Sequence, residues 1–354
     1  MPRAQGSPGS GPAPGCCRMV VPDWCYPSAM SDRPPSREIA PPSIGLTRDH
    51  VIWAYRLLLD RDPESDDVIG PKLAGSRDTS ELRRHLMTST EFQQKNPDYA
   101  HTNDRTVVIK ELEGPGSARL FVDLSDHVIG LSILRDRYER DELACVRRFL
   151  KAGDTAIDIG GHVGLFTIHM AAAVGAAGRV YAFEPLASNG ELLERSIAEN
   201  RFEDRVVFQR AAVGAAPGRA TLTFSIETLN SGGAYLLRDG QVPPSGHRSE
   251  DVPIVALDAL TLKRPVRFIK MDVEGAEPQV VKGGVRLLRE DRPVILSELH
   301  PTQLERASGV TASAFLAQLA ALGYRAYTVA GGQPGERVER DAPDAPASVL
   351  FLPE

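Results

Sequence analysis

The residues best equipped for chemistry lie in FIKMDVEGAEPQVVKGG, residues 268–284. Strand alternation puts Lys270, Asp272 and Glu274 on one face and Met271 and Val273 on the other. Gly275 then makes an exit turn, and Glu277 falls in the first turn of a helix, where a negative side chain is favoured. Acids crowded at one strand end repel one another unless a cationic ligand or firm hydrogen bonds hold them. Compensation by Lys270 alone is the simpler reading. Such a cluster suits general-base chemistry on a hydroxyl, which contributes roughly 10²–10⁴-fold. The catalytic candidates are Asp272, Glu274 and, in SELHP, His300, whose side-chain class titrates near neutral pH. His300 is equally compatible with a hydrogen-bonded histidine between strand and loop. The acids could also hold a divalent metal, with Glu298 and His300 completing its shell, but the spacing does not require one.

A second set of residues suits a nucleotide-like ligand. In AIDIGGHVGLFT, residues 156–167, Asp158 closes a strand, Gly160 and Gly161 make a turn, and Gly164 opens a helix. Glycines let a ligand approach the backbone without Cβ clashes, and the helix N-terminus offers free N–H groups. His162 sits inside this turn. The spacing is not GxGxxG, which counts against a nicotinamide-dependent oxidoreductase. Glu184, at the end of VYAFEP, follows Gly160 by 24 residues, near the offset of a ribose-binding acid. A carboxylate can accept hydrogen bonds from both hydroxyls of a ribose.

These residues need a sheet whose strands end together. Strands are expected at 155–159, 180–183, 206–209, 266–271, 293–296, 324–329 and 348–352, with helices between most of them. Alternating strands and helices imply right-handed crossovers and a doubly wound, mainly parallel Rossmann-like α/β sheet, with ligands at the strands' carboxyl ends. The stretch from Ala215 to Pro253 reads as irregular and as the acceptor side, with Asn230 and Ser231 as polar candidates. Ahead of this domain, Ile52, Tyr55, Leu58 and Leu59 form one helical face, Asp62-Pro63 ends that helix, and Ser80 opens another. The expected organisation is a disordered tail at 1–45, a small helical domain at 46–100, a linker at 101–114 and the α/β domain at 115–354. Ten of the 27 prolines fall in that tail, which has too few apolar residues to offset its ordering entropy.

Composition narrows the class. The 354 residues carry 41 Lys+Arg against 47 Asp+Glu, a net charge of −6 that gives no reason to expect nucleic acid. Three of the four cysteines lie in the tail and none forms a CxxC pair, so neither a disulfide framework nor structural zinc is expected. No apolar run approaches a membrane span. Pro and Gly interrupt any leader-like segment, so the expected compartment is the cytoplasm.

Taken in order, AIDIGGHVGLFT, VYAFEPLASNGELLERSIAEN, RAAVG, VALDAL, IKMDVEGAEPQVVKGG, VILSELHP and SVLFLPE closely resemble FkbM-type methyltransferases over roughly residues 118–354. The resemblance implies S-adenosylmethionine as cofactor and, in a mostly bacterial family, O-methylation. It further implies a methionine-side loop at Asp158, Gly160, Gly161, His162 and Gly164, a ribose ligand in Glu184, and Asp272 and Glu274 beside the transferring methyl. The family usually has Ala-Asn where this chain has Gly161-His162, and His162 could replace the Asn as a hydrogen-bonding group. AYRLLLDRDPES and TSTEFQ resemble a short helical repeat appended to bacterial surface-polysaccharide proteins, for which a docking or oligomerisation role competes with packing alone. The expected function is methyl transfer to a hydroxyl of a sugar, glycolipid or polyketide-like small molecule. A nicotinamide-dependent oxidoreductase and a non-catalytic scaffold in polysaccharide assembly are the alternatives.

Overall fold

Apolar spacing and chain breaks account for the first elements. The computed structural model describes residues 46–87, 89–95, 106–114, 117–126, 129–225, 231–238, 240–339 and 345–354. The tail expected at 1–45 lies outside them. The chain divides into two units, Met1–Ser89 and Thr90–Glu354. In the first, α1 (Arg48–Leu59) buries Val51, Tyr55 and Leu59, a four-residue repeat on one face. It ends at Asp60 in left-handed geometry, two residues before Asp62-Pro63. Helix α2 (Asp66–Ala74) is an addition to the expected elements and carries Gly70 and Pro71, residue types that usually interrupt a helix. Helix α3 (Thr79–Met87) starts ahead of Ser80, with the Asp78 carboxylate accepting the Glu81 N–H at 2.8 Å.

The second unit begins with α4 (Thr90–Lys95) and an antiparallel pair, β1 (Val107–Glu111) and β2 (Arg119–Asp123). This corrects the linker expected over 101–114: β-branched Val107, Val108 and Ile109 favour a strand, and pairing with β2 satisfies their backbone. Next come α5 (Ile129–Leu134) and α6 (Arg140–Phe149), then β3 (Thr155–Ile159), α7 (Leu165–Val174), β4 (Arg179–Phe183), α8 (Ala187–Glu199) and β5 (Val206–Gln209). A smaller sheet follows, from β6 (Ala212–Val213), β7 (Gly218–Ser225), β8 (Tyr235–Leu236) and β9 (His247–Val255). The stretch expected to be irregular is therefore largely regular. β7 and β9 pair over eight residues, a long-range match invisible to local reading. The chain then returns through β10 (Val266–Met271), α9 (Glu277–Gly283), α10 (Val285–Asp291), β11 (Val294–Leu299), α11 (Pro301–Ser308), α12 (Ala312–Ala320), β12 (Tyr324–Ala330), β13 (Gln333–Arg337) and β14 (Ala347–Pro353).

Among the described residues the main sheet has the order β13-β12-β14-β11-β10-β3-β4-β5. The five strands from β11 to β5 are parallel, and β14, β12 and β13 join antiparallel. Alternation divides the core into two layers. Ala156, Val180, Phe268 and Leu296 pack with α6, α7 and α8, whereas Ile157, Ile159, Ile269 and Met271 pack with α9 to α12. Strand order reverses between β3 and β10, which opens a crevice at their carboxyl ends. No helix among the described residues is long and apolar enough to cross a membrane.

Phe268 sits at the centre of the first layer, fully buried and stacked on Phe149 with ring centroids 6.4 Å apart. Phe268→Ala is expected to lower unfolding free energy by about 3–5 kcal/mol in urea titration. A loss below about 1 kcal/mol would show that the layers do not depend on it.

Candidate active site

The crevice at the ends of β3, β4, β10 and β11 holds a cavity of about 270 Å³. Its geometry starts from strand register. Lys270 on β10 pairs with Asp158 on β3, so the two side chains share the α6–α7 face. The Lys270 ammonium donates to Asp272 Oδ2 at 3.1 Å and to the Gly160 carbonyl at 3.4 Å, and lies 4.9 Å from the Phe166 ring centroid. Burial opposes its charge, but Asp272, Glu139 and Asp158 outweigh burial and hold its pKa above the ordinary lysine value.

The glycine turn is built around close approach. Gly160 has φ +81, and a Cβ there would fall 1.8 Å from the Asp272 carbonyl oxygen. Gly160 and Gly161 both donate to the Phe183 carbonyl at 2.9 Å, pinning the turn to the end of β4. Gly164, φ +101, leaves no room for a Cβ beside Leu193, so its role is helix packing. His162 is left-handed at φ +50, and its N–H donates to Glu184 Oε2 at 2.9 Å. The Leu186 N–H donates to Oε1 at 2.8 Å. Burial pushes Glu184 up to about 7, against these two donors. Burial lowers His162 to about 4, leaving its ring neutral at pH 7.

The cavity brings together Gly160, Gly161, His162, Glu184, Asp272 and Glu274. Asp158 and Gly164 are not in its lining. Asp158 lies behind the turn, fully buried, with Oδ2 accepting from the Thr167 hydroxyl at 2.5 Å and Oδ1 without a partner. His300 is also outside the lining; it occupies the N-cap of α11, with Nδ1 buried and unpaired. Asn230 lies outside the described residues, and Ser231 opens a short 3₁₀ turn. Strand alternation stops at Met271: Glu274 reaches the cavity through a left-handed residue, φ +55, in the exit turn. Its carboxyl accepts from Gln303 Nε2 and lies 3.8 Å from Arg306. Burial, then repulsion by Asp272 and Glu298, raises it to about 9. Glu277 is turned away to cap the Val273 N–H at 3.0 Å. Among the described residues no three His, Cys, Asp or Glu are arranged to hold a metal ion.

Sequence reasoning missed the wall supplied by Ile129, Ile133, Tyr138 and Glu139. Glu139 occupies the N-cap of α6 at φ +45 and is hydrogen-bonded to Tyr138; burial raises it to about 7, with Lys270 opposing. In the sequence it sits within the charged run RDRYERDE, which reads as a solvated face. Only the return of α6 across β10 turns it inward. Tyr235, from β8, lies under the Arg306 guanidinium at 3.7 Å and closes another side.

No curated protein matches the chain. Among solved structures, a methyltransferase FkbM from Methylobacillus flagellatus KT is 17% identical, with TM-score 0.38, and the match covers 85% of this chain. The chain spans 58% of that structure's chain. A SAM-dependent O-methyltransferase from Thermotoga maritima is 15% identical, with TM-score 0.34, covering 66% of this chain and 72% of its own. M. jannaschii TYW2 in complex with AdoMet is 14% identical, with TM-score 0.37, covering 71% and 89%. The family model that matches is the methyltransferase FkbM domain, over residues 158–326, from the buried Asp158 to β12. That stretch contains the glycine turn, Glu184 and the acidic exit of β10, and it is the part of the chain that matches the methyltransferase FkbM domain.

Proposed function

We propose that the chain is an S-adenosylmethionine-dependent O-methyltransferase acting on a hydroxyl of a sugar, glycolipid or polyketide-like small molecule. The carrying observation is one cavity bordered by both the glycine turn with Glu184 and the acids that follow β10. The residues fit the cofactor. Gly160 and Gly161 put backbone without side chains in the cavity wall, and Glu184 in the same wall keeps lone pairs beyond its two backbone donors. In this reading Glu184 holds the ribose hydroxyls, and the cavity-lining residues Gly160 to His162 hold the methionine side, with Asp158 supporting the turn from behind. The bound cofactor supplies a methyl group on an already activated sulfonium.

The chain's own residues then align an oxygen with that methyl group, and positioning alone can supply about 7–11 kcal/mol. Lys270 fixes Asp272 through Oδ2, leaving Oδ1 to accept from a second hydroxyl of the acceptor molecule. Glu274, holding its proton at neutral pH, donates to a neighbouring acceptor oxygen. This polar rim suits a hydroxyl-rich molecule. The cytoplasm is the compartment in this reading, in keeping with a free, buried Cys145. Residues 46–100 serve docking, for which Trp53 and Leu57, exposed one turn apart on α1, offer an apolar surface.

The experiment that tests the reading is mass spectrometry of bacterial extract incubated with protein and methyl-labelled S-adenosylmethionine. A labelled product 14 Da heavier than its precursor, plus the label's extra mass, is expected, and cofactor binding without any labelled product would count against transfer. Glu184→Ala removes hydrogen bonds to a charged acceptor worth about 1.5–3 kcal/mol. Calorimetry should show S-adenosylmethionine binding roughly 10–150-fold weaker, and unchanged affinity would remove Glu184 from the site.

The buried acids also set a pH dependence. Glu139, Glu184, Glu277 and Glu298 are each raised to about 7 and Glu274 to about 9, all chiefly by burial. Between about pH 4.5 and 9 the folded chain therefore binds more protons than the unfolded one, and stability falls as pH rises. Thermal melts should give a lower Tm at pH 8.5 than at pH 6. Saturating S-adenosylmethionine should narrow the gap, because its sulfonium is a cation. A higher ligand-free Tm at pH 8.5 would contradict the arrangement.

A further inference from the structure

The acids around the cavity differ in what already occupies them. Asp272 is held by Lys270, Glu274 by Gln303 and Arg306, Glu139 by Tyr138, and Glu184 by two backbone N–H groups. Glu298 lines the same cavity, and its carboxylate has no hydrogen-bond or ion-pair partner among the described residues. Register explains its position. β10 and β11 run parallel with Met271 opposite Ser297, so Asp272 and Glu298 leave adjacent strands side by side one residue later. His300, the histidine offered for this role by the sequence, lies two residues further on, at the α11 N-cap and outside the cavity lining.

We infer that Glu298 is the general base that accepts the proton of the acceptor hydroxyl. This rests on the methyl-transfer reading and adds to it the group that carries the proton. The balance is complete without a further reactant. The acceptor oxygen exchanges its bond to hydrogen for a bond to methyl, the electron pair of the broken S–C bond stays on the donor sulfur, and the proton passes to Glu298 and then to water. Glu298 is suited to the exchange because burial, aided by Asp272 and opposed by Lys270, holds its carboxyl near 7. Glu274 from the exit turn and Tyr138 from the residues before α6 also face it. A carboxylate near its pKa both accepts and releases a proton at neutral pH.

The test compares wild type, Glu298→Gln and Glu298→Asp as full-length protein. S-adenosylmethionine binding is followed by calorimetry, and label transfer from methyl-labelled S-adenosylmethionine into bacterial extract by mass spectrometry. Infrared spectra of the ligand-free protein are recorded from pH 5 to 9. Glu298→Gln should bind the cofactor within about threefold of wild type yet transfer label roughly 10²–10⁴-fold more slowly. It should also lose the rise in rate through pH 7 and one carboxyl band titrating there. Glu298→Asp should recover part of the rate and of the pH profile. A Glu298→Gln protein with wild-type transfer and an unchanged profile overturns the proposal alone. A wild type that binds cofactor and labels nothing overturns it together with the transfer reading.

Discussion

One buried cation organises the carboxyl end of the sheet. Lys270 is almost without solvent and faces Asp272 at 3.1 Å, with Asp158 and Glu139 close enough to act on its charge. At an effective dielectric near 20 a single pair at that distance attracts by about 5 kcal/mol. Desolvating two charges costs several kcal/mol for each. One acid is therefore not enough, and the combined field of three keeps the ammonium charged. The arrangement follows from parallel register, which sets Lys270 against Asp158 on neighbouring strands.

Surplus acid follows from the same arrangement. Lys270 is shared and Arg306 approaches Glu274 only to 3.8 Å, so neither cation offsets burial at Glu298 and Glu274. Burial makes them hold protons well above the ordinary carboxylate range. Carboxyl groups pushed to different pKa values within one cavity can divide donor and acceptor roles between them. The backbone carries a related cost. His162, Glu139 and Glu274 all line the cavity in left-handed geometry without being glycine. Such residues persist only where surrounding structure over-determines them, and here all three aim toward one space.

The cavity is built from segments far apart in the chain. The family match begins at residue 158, yet Ile129, Ile133, Tyr138 and Glu139 supply one wall. The small sheet supplies Tyr235, which Arg306 of α11 covers while approaching Glu274. Strand order reversal between β3 and β10 is what makes room for all of them.

The local chemistry of this protein is written in its sequence. The seven expected strands of the main sheet, the glycine turn, the acid closing β4 and the acidic exit of β10 are all short-range patterns, legible because φ preferences, strand period and turn residues act over a few positions. The β7–β9 pairing, the β1–β2 ribbon and the inward turn of Glu139 were not legible, because each depends on partners many residues away. His300 shows the same limit. Its residue type suited a base, but α11 begins at Pro301 and fixes His300 as a cap, leaving Glu298, one strand position after Ser297, in the cavity. Sequence alone determined which groups were available and at which strand ends. Tertiary structure decided which carboxylates are buried, which are paired and which is left free, because burial and charge balance are properties of packed neighbours.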